Sequence, residues 1–147
     1  MSRGFSTSVA VLLATLGGVS SLAASTVDSP AGVWLTQAGD AKVAISRCGE
    51  MICGRIVWLK TPIDPATGKP QVDDKNPNPS LAKRPMVGLP LFVDMKPQGQ
   101  GKWSGRIYNA DDGKLYASNI SLRDGAKLSV EGCVGVLCGG ETWTKRD

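Results

Sequence analysis

Two cysteine pairs of identical spacing constrain this chain more than any other feature. Cys48 and Cys53 bracket Gly49-Glu50-Met51-Ile52, and Cys133 and Cys138 bracket Val134-Gly135-Val136-Leu137. Runs of alternating apolar and polar residues flank both pairs, so each bracketed tetrapeptide reads as the turn of a β-hairpin. Directly opposed residues on antiparallel strands bring their Cβ atoms to about 4.5–5.5 Å, within reach of a disulfide after little adjustment. Four cysteines allow three pairings, and hairpin geometry favours Cys48–Cys53 with Cys133–Cys138. A zinc site built from all four thiolates is the rival, because zinc-binding pairs commonly have two to four intervening residues. Redox chemistry has less support: there is no CxxC and no cationic helix end beside the sulfurs.

The first 24 residues bear on that choice. Met1 to Ser8 carries one positive side chain, Arg3; Val9 to Leu16 is apolar; Ser21-Leu22-Ala23 offers small residues at the −3 and −1 positions of a cleavage site. This is the pattern of a secretory signal peptide, cleaved near Ala23 or Ala24. A membrane-spanning helix needs roughly 20 apolar residues, whereas Gly17, Gly18, Ser20 and Ser21 interrupt this run. No cysteine follows the site to carry a lipid. Residues 25–147 are then expected to form one domain without a second apolar span, in the bacterial periplasm, where thiols oxidise.

Charge and composition exclude several functions. The 17 Lys and Arg against 13 Asp and Glu give a net +4, too small and too dispersed for a nucleic-acid surface. The chain has no histidine. A Ser-His-Asp triad, a Cys-His pair, an HExxH zinc site and a His-ligated haem are therefore ruled out within it. No cofactor or metal is expected, and catalysis would have to come from a tight Asp, Lys and Tyr cluster.

Strand signals cover Val33–Gln37, Lys42–Cys48, Cys53–Lys60, Val87–Met95, Lys102–Asn109, Lys114–Arg123, Lys127–Cys133 and Gly140–Arg146, separated by turn-forming residues. Eight short strands in sequence predict an all-β antiparallel up-and-down meander, and closure into a barrel removes its edges. With Cys48 paired to Cys53, alternation turns Val43, Ile45, Gly54, Ile56 and Trp58 inward and the cysteines outward. The second hairpin agrees independently: Leu128 and Val130 face in, while Lys127, Ser129, Glu131 and Cys133 face out. Trp103, Gly105, Ile107, Tyr116, Ser118, Ile120 and Leu122 also face in, and Trp143 shares its face with Glu141 and Lys145. Between Thr61 and Pro85 the chain has six prolines and no strand signal. Loops this long in a compact domain are usually functional or disordered. This one is expected to be an ordered flap across one barrel end, with Asn78 capping a short helix through Lys83 that Pro85 ends.

Gly32-Val33-Trp34 on the first strand, with a basic residue near Trp143 on the last, resembles the lipocalin and wider calycin barrels. A more specific resemblance extends over nearly all of residues 32–146, to the secreted bacterial proteins of domain of unknown function 2147. It rests on Gly32-Val33-Trp34-Leu35, Cys53 to Leu59, Asp73-Asp74-Lys75-Asn76-Pro77, Lys83 to Leu89, Trp103 to Tyr108, Gly113-Lys114-Leu115-Tyr116 and Thr142-Trp143-Thr144. The resemblance implies a lipocalin-like barrel and a periplasmic address, and supplies no reaction. Where that family tends to place Arg two residues after the last Trp, this chain has Lys145, which lacks the flat guanidinium.

An eight-stranded barrel has room for packed side chains or for one small ligand. Trp58, Trp103, Ile107, Tyr116, Ile120 and Trp143 are the expected apolar contacts, unless they simply fill the interior. Arg84, at the end of the flap, is the candidate clamp for a carboxylate or phosphate head group; otherwise it pins the flap to Asp73, Asp74 or a strand-end carbonyl. Asp73 and Asn76 suit calcium or, more simply, Asx turns. If Glu141 and Lys145 are both buried, they should pair. Tyr108 either serves a site or covers the rim. The expected function is a non-enzymatic periplasmic barrel for a small hydrophobic or amphipathic ligand. The alternative is a cell-envelope interaction module with a protein partner and no small molecule.

Overall fold

Alternation of apolar and polar residues commits most of the chain to half-buried strands, and short turns make successive strands antiparallel neighbours. A computed structural model describes residues 29–146; the leader expected at residues 1–24 lies outside them. The strands are β1 (Gly32–Leu35), β2 (Ala41–Cys48), β3 (Met51–Leu59), β4 (Phe92–Pro97), β5 (Lys102–Asn109), β6 (Lys114–Asp124), β7 (Lys127–Val134) and β8 (Leu137–Arg146). Each pairs with the next, and β8 returns to β1 through Trp34 opposite Lys145, closing the barrel. Among the described residues no helix is long and apolar enough to cross a membrane.

Both expected disulfides are present, Cys48–Cys53 and Cys133–Cys138. The turns beneath them are tighter than four residues. Pairing continues to Cys48 opposite Met51 and to Val134 opposite Leu137, leaving two-residue loops at Gly49-Glu50 and Gly135-Val136. Each loop opens on a glycine at positive φ, 66° and 59°, as two-residue hairpins require. Cys133 and Cys138 are directly opposed, whereas Cys53 lies opposite Ser46 and bridges Cys48 diagonally. Cys133 is buried rather than exposed, with Asn119 Nδ2 3.9 Å from its sulfur.

Most of the expected inward faces hold. Val43, Ile45, Ile56, Trp103, Ile120, Leu128, Val130 and Trp143 are buried in one core with Trp34, Met95 and Phe92. Trp58 is the exception. Val43 pairs with Ile56, but Lys42 pairs with Trp58, so Val57 is an extra residue on β3. A one-residue bulge reverses every side chain beyond it. Trp58 therefore stands on the outer wall, 40% exposed, with Lys42 Nζ 5.0 Å from its ring centre.

The other departures involve the long connection. The strand expected from Val87 begins only at Phe92. Pro90 has no N–H to donate to a ladder. β3 is instead held by Ile56 N to Leu89 O at 3.0 Å and Leu91 N to Gly54 O at 2.8 Å. Asn78 does act as a cap, accepting from Ser80 N at 3.0 Å, but it starts a single turn and not a helix. Pro85 is bridged to Val72, which ends that turn. The flap does not lie squarely across a barrel end. Thr61, Gln71 and Met86 reach the mouth, while Asp73 to Arg84 lies over the outer face of β5.

Candidate functional site

Two glycines set how the barrel's halves differ. At Gly54 an added Cβ would stand 2.7 Å from the Phe92 ring, so the missing side chain lets Phe92 cross the interior. Phe92 stacks on Trp143 with ring centres 6.1 Å apart and planes 13° from parallel. Below this layer Trp34, Met95, Trp103, Ile120 and Leu128 fill the closed half. At Gly32 (φ 135°), Lys145 Cε lies 2.9 Å from the place a Cβ would occupy. Lys145 thus runs across the glycine to set its ammonium 5.6 Å from the centre of the Trp34 ring. The Trp34 indole is fully buried and donates to Pro30 O at 2.8 Å. The basic residue over the first-strand indole is present here as a lysine.

Above the Phe92–Trp143 layer the barrel is hollow. A cavity of about 1120 Å³ opens between the β1–β2 turn, the flap, the β5–β6 turn and the tip of the β7–β8 hairpin. Its apolar wall includes Val43, Ile56, Met86, Leu91, Ile107 and Val130, with Trp143 at depth. Gly132 keeps the wall thin: its open Cβ direction has only ordinary contacts, to Tyr116 at 3.6 Å and Ile107 at 3.9 Å. At the rim, Val134, Val136 and Leu137 are 68%, 96% and 77% exposed, so the stapled β7–β8 tip is an apolar finger beside the opening.

Four charged residues line this cavity, Asp40, Lys60, Asp111 and Glu141. Glu141 points inward from β8, and its Oε1 accepts the Trp143 indole N–H. It does not pair with Lys145. Four residues along an extended strand span about 13 Å, and Lys145 is engaged by Trp34. The Tyr116 phenol donates to the Asp112 carboxylate on the β5–β6 turn. That hydrogen bond, with burial and the carboxylate's charge behind it, raises the phenol's pKa above the ordinary value. Ser118, buried on the inner face, has no hydrogen-bond partner for its hydroxyl among the described residues.

The structure brings together only part of the expected contact set. Ile107, Tyr116 and Trp143 line the cavity. Trp103 and Ile120 pack into the filled half and do not reach it, because large side chains at one end exhaust the space there. Trp58 is outside the barrel, turned there by the bulge. Arg84 holds the flap. Its Nε and terminal nitrogen lie 3.0 and 2.9 Å from Asp73 Oδ2, and its guanidinium lies 5.7 Å from the centre of the Tyr108 ring. Asp73 is fully buried and also accepts from Tyr108 at 2.6 Å and Asn76 at 2.8 Å. Those donors occupy the carboxylate that a calcium reading would need. Burial, followed by the hydrogen bond and charge of Asp73, raises the Tyr108 pKa, partly offset by Asn76 and Arg84. Met86, Leu91 and Gly132 were not expected in the lining. The first two belong to an aperiodic segment, and the third has no side chain to signal its direction. Glu141 was legible as inward because it shares the Trp143 face.

The family model described as "Uncharacterized protein conserved in bacteria (DUF2147)" matches residues 32–145. The chain belongs to the DUF2147 family. It is similar in fold to a solved structure described as protein HP1028 from the human pathogen Helicobacter pylori, which belongs to the lipocalin family. That likeness has a TM-score of 0.67 at 21% identity and covers 80% of this chain and 82% of the other. No curated protein matches the chain. The Asp73-Asp74-Lys75-Asn76-Pro77 and Lys83-Arg84-Pro85 stretches meet as two halves of one clasp through Asp73 and Arg84, and the barrel is lipocalin-like.

Proposed function

We propose that this DUF2147 protein is a binding barrel of the bacterial periplasm that holds one small hydrophobic or amphipathic molecule. The observation that carries the reading is the cavity: about 1120 Å³, apolar in its depth and open at one end. That is slightly above the usual range for small-molecule sites, about 300–1,000 Å³. The contacts we assign are Ile107, Tyr116 and Trp143, with Val43, Ile56 and Val130. The two disulfides support an oxidising compartment, and the leader pattern at residues 1–24 supports export. The reading is non-enzymatic. The polar cluster of Asp73 with Asn76, Arg84 and Tyr108 binds the flap to β5, and of these four only Tyr108 reaches the cavity.

Titration with N-phenyl-1-naphthylamine, a neutral apolar fluorophore, tests this. The dye should bind saturably with one-to-one stoichiometry. Gly132→Leu, which directs a side chain into the hollow, should weaken it at least tenfold while the protein stays folded. Non-saturable dye uptake, or unchanged affinity in the folded variant, overturns the proposal. The exposed Val136 and Leu137 favour a second reading, a cell-envelope protein partner seated on the β7–β8 tip. In that case serine at both positions would release the partner and leave dye affinity unaltered.

A further inference from the structure

Glu141 brings a carboxylate into a cavity with an apolar wall and, among the described residues, forms no ion pair. Among the described residues the ion pairs are Asp73–Arg84, Asp74–Lys75 and Asp94–Arg106, and none involves Glu141. Lys145, the basic residue on the same face of β8, lies over Trp34 in the closed half. One Glu141 oxygen accepts the Trp143 indole N–H, which leaves most of the carboxylate's accepting capacity free. The charge is not balanced from above either. The lining holds three carboxylates, Asp40, Asp111 and Glu141, against the single ammonium of exposed Lys60.

We propose that the cavity selects an amphipathic cation, with an amine or quaternary ammonium head at Glu141 beside Trp143 and an apolar tail along Val43, Ile56, Leu91 and Ile107. This rests on the binding reading above. A carboxylate next to an indole is the arrangement that best receives such a head. The carboxylate supplies the charge, and the Trp143 ring beside it offers apolar surface to the alkyl carbon of the head group. A fatty acid or alkyl sulfate would set a second anion against half-buried Glu141 inside the barrel mouth, where like charges repel more strongly than in bulk water. A neutral alkyl chain would gain the apolar contacts alone.

The test compares three ten-carbon probes below their micelle concentrations, by calorimetry and Trp emission: decyltrimethylammonium, decanol and decanoate. Decyltrimethylammonium should bind at least tenfold tighter than decanol, and decanoate weaker than both. Glu141→Gln keeps an acceptor for the indole and should bring the cation down to the decanol level without changing decanol. Raising salt from 50 to 500 mM should weaken only the cation in the wild-type protein, a readout that needs no variant. Equal binding of cation and decanol, or tightest binding of decanoate through Lys60, overturns the inference and leaves the binding barrel standing. Failure of all three probes overturns both.

Discussion

Arg84→Met distinguishes a flap clasp from a ligand clamp. Asp73 is fully buried, and Arg84 is its only cationic partner among the described residues, with 29% of its own side chain exposed. Removing one partner of a buried ion pair costs about 3–5 kcal/mol, because the other charge is stranded. Two considerations favour the low end: Tyr108 and Asn76 still donate to the carboxylate, and water can reach the vacated side. The expected loss is about 3 kcal/mol, or roughly 10–15 °C in Tm for a domain of this size. Adding Asp73→Asn removes the stranded charge, so the same Arg84 substitution in that background should cost less than about 1 kcal/mol, a coupling of about 2 kcal/mol. Urea titrations of the four proteins measure it. Hydrogen exchange at Asp73 N and Met86 N, bonded to Arg84 O and Gln71 O, reports whether the flap opens first. Dye affinity should stay within twofold, since Arg84 is not in the cavity wall. An Arg84→Met protein that is fully stable yet loses binding would refute this reasoning and return Arg84 to the ligand.

Three further outcomes follow from the same geometry. Gly113→Ala should cost about 2–4 kcal/mol, since its Cβ would stand 1.9 Å from Lys75 O at φ 72°. Gly39→Ala, also at φ 72° but with nothing within 4 Å, should cost only about 1 kcal/mol in the same thermal melts. The raised Tyr108 pKa means that its clasp stabilises the protein below the ordinary tyrosine value of 10.0 and is lost as pH climbs through the higher native value. Urea midpoints between pH 9 and 11.5 should therefore fall more steeply in the wild type than in Tyr108→Phe. Each disulfide joins cysteines only five positions apart, so replacing either pair with serine should cost about 2 kcal/mol by loop entropy and leave the barrel's far-ultraviolet spectrum in place. Collapse of that spectrum would mean that the sulfurs carry the fold.

Strand order, the two disulfides and the inward faces of β2, β5, β6 and β7 were written in the sequence, because period-two alternation and turn residues are local signals. Closure was expected because it removes the sheet's edges, and the strands that meet were suggested by the resemblance of Gly32-Val33-Trp34 and Trp143-Thr144-Lys145 to the calycin pattern. Other features depend on who stands opposite. Trp58 looks inward by counting along its own strand, and only its pairing with Lys42 across a bulge turns it out. By sequence Arg84 can clamp a head group or pin the flap, and only the fold, which sets Asp73 2.9 Å from it across eleven residues of chain, decides for the flap. Glu141 and Lys145 look like a pair until the strand's length separates them. The local pattern decides what each residue can do, whereas burial and Coulomb energy act between residues distant along the chain. Which half of the barrel is filled, which half is hollow and which charge stays unmatched inside it were therefore decided by the tertiary structure.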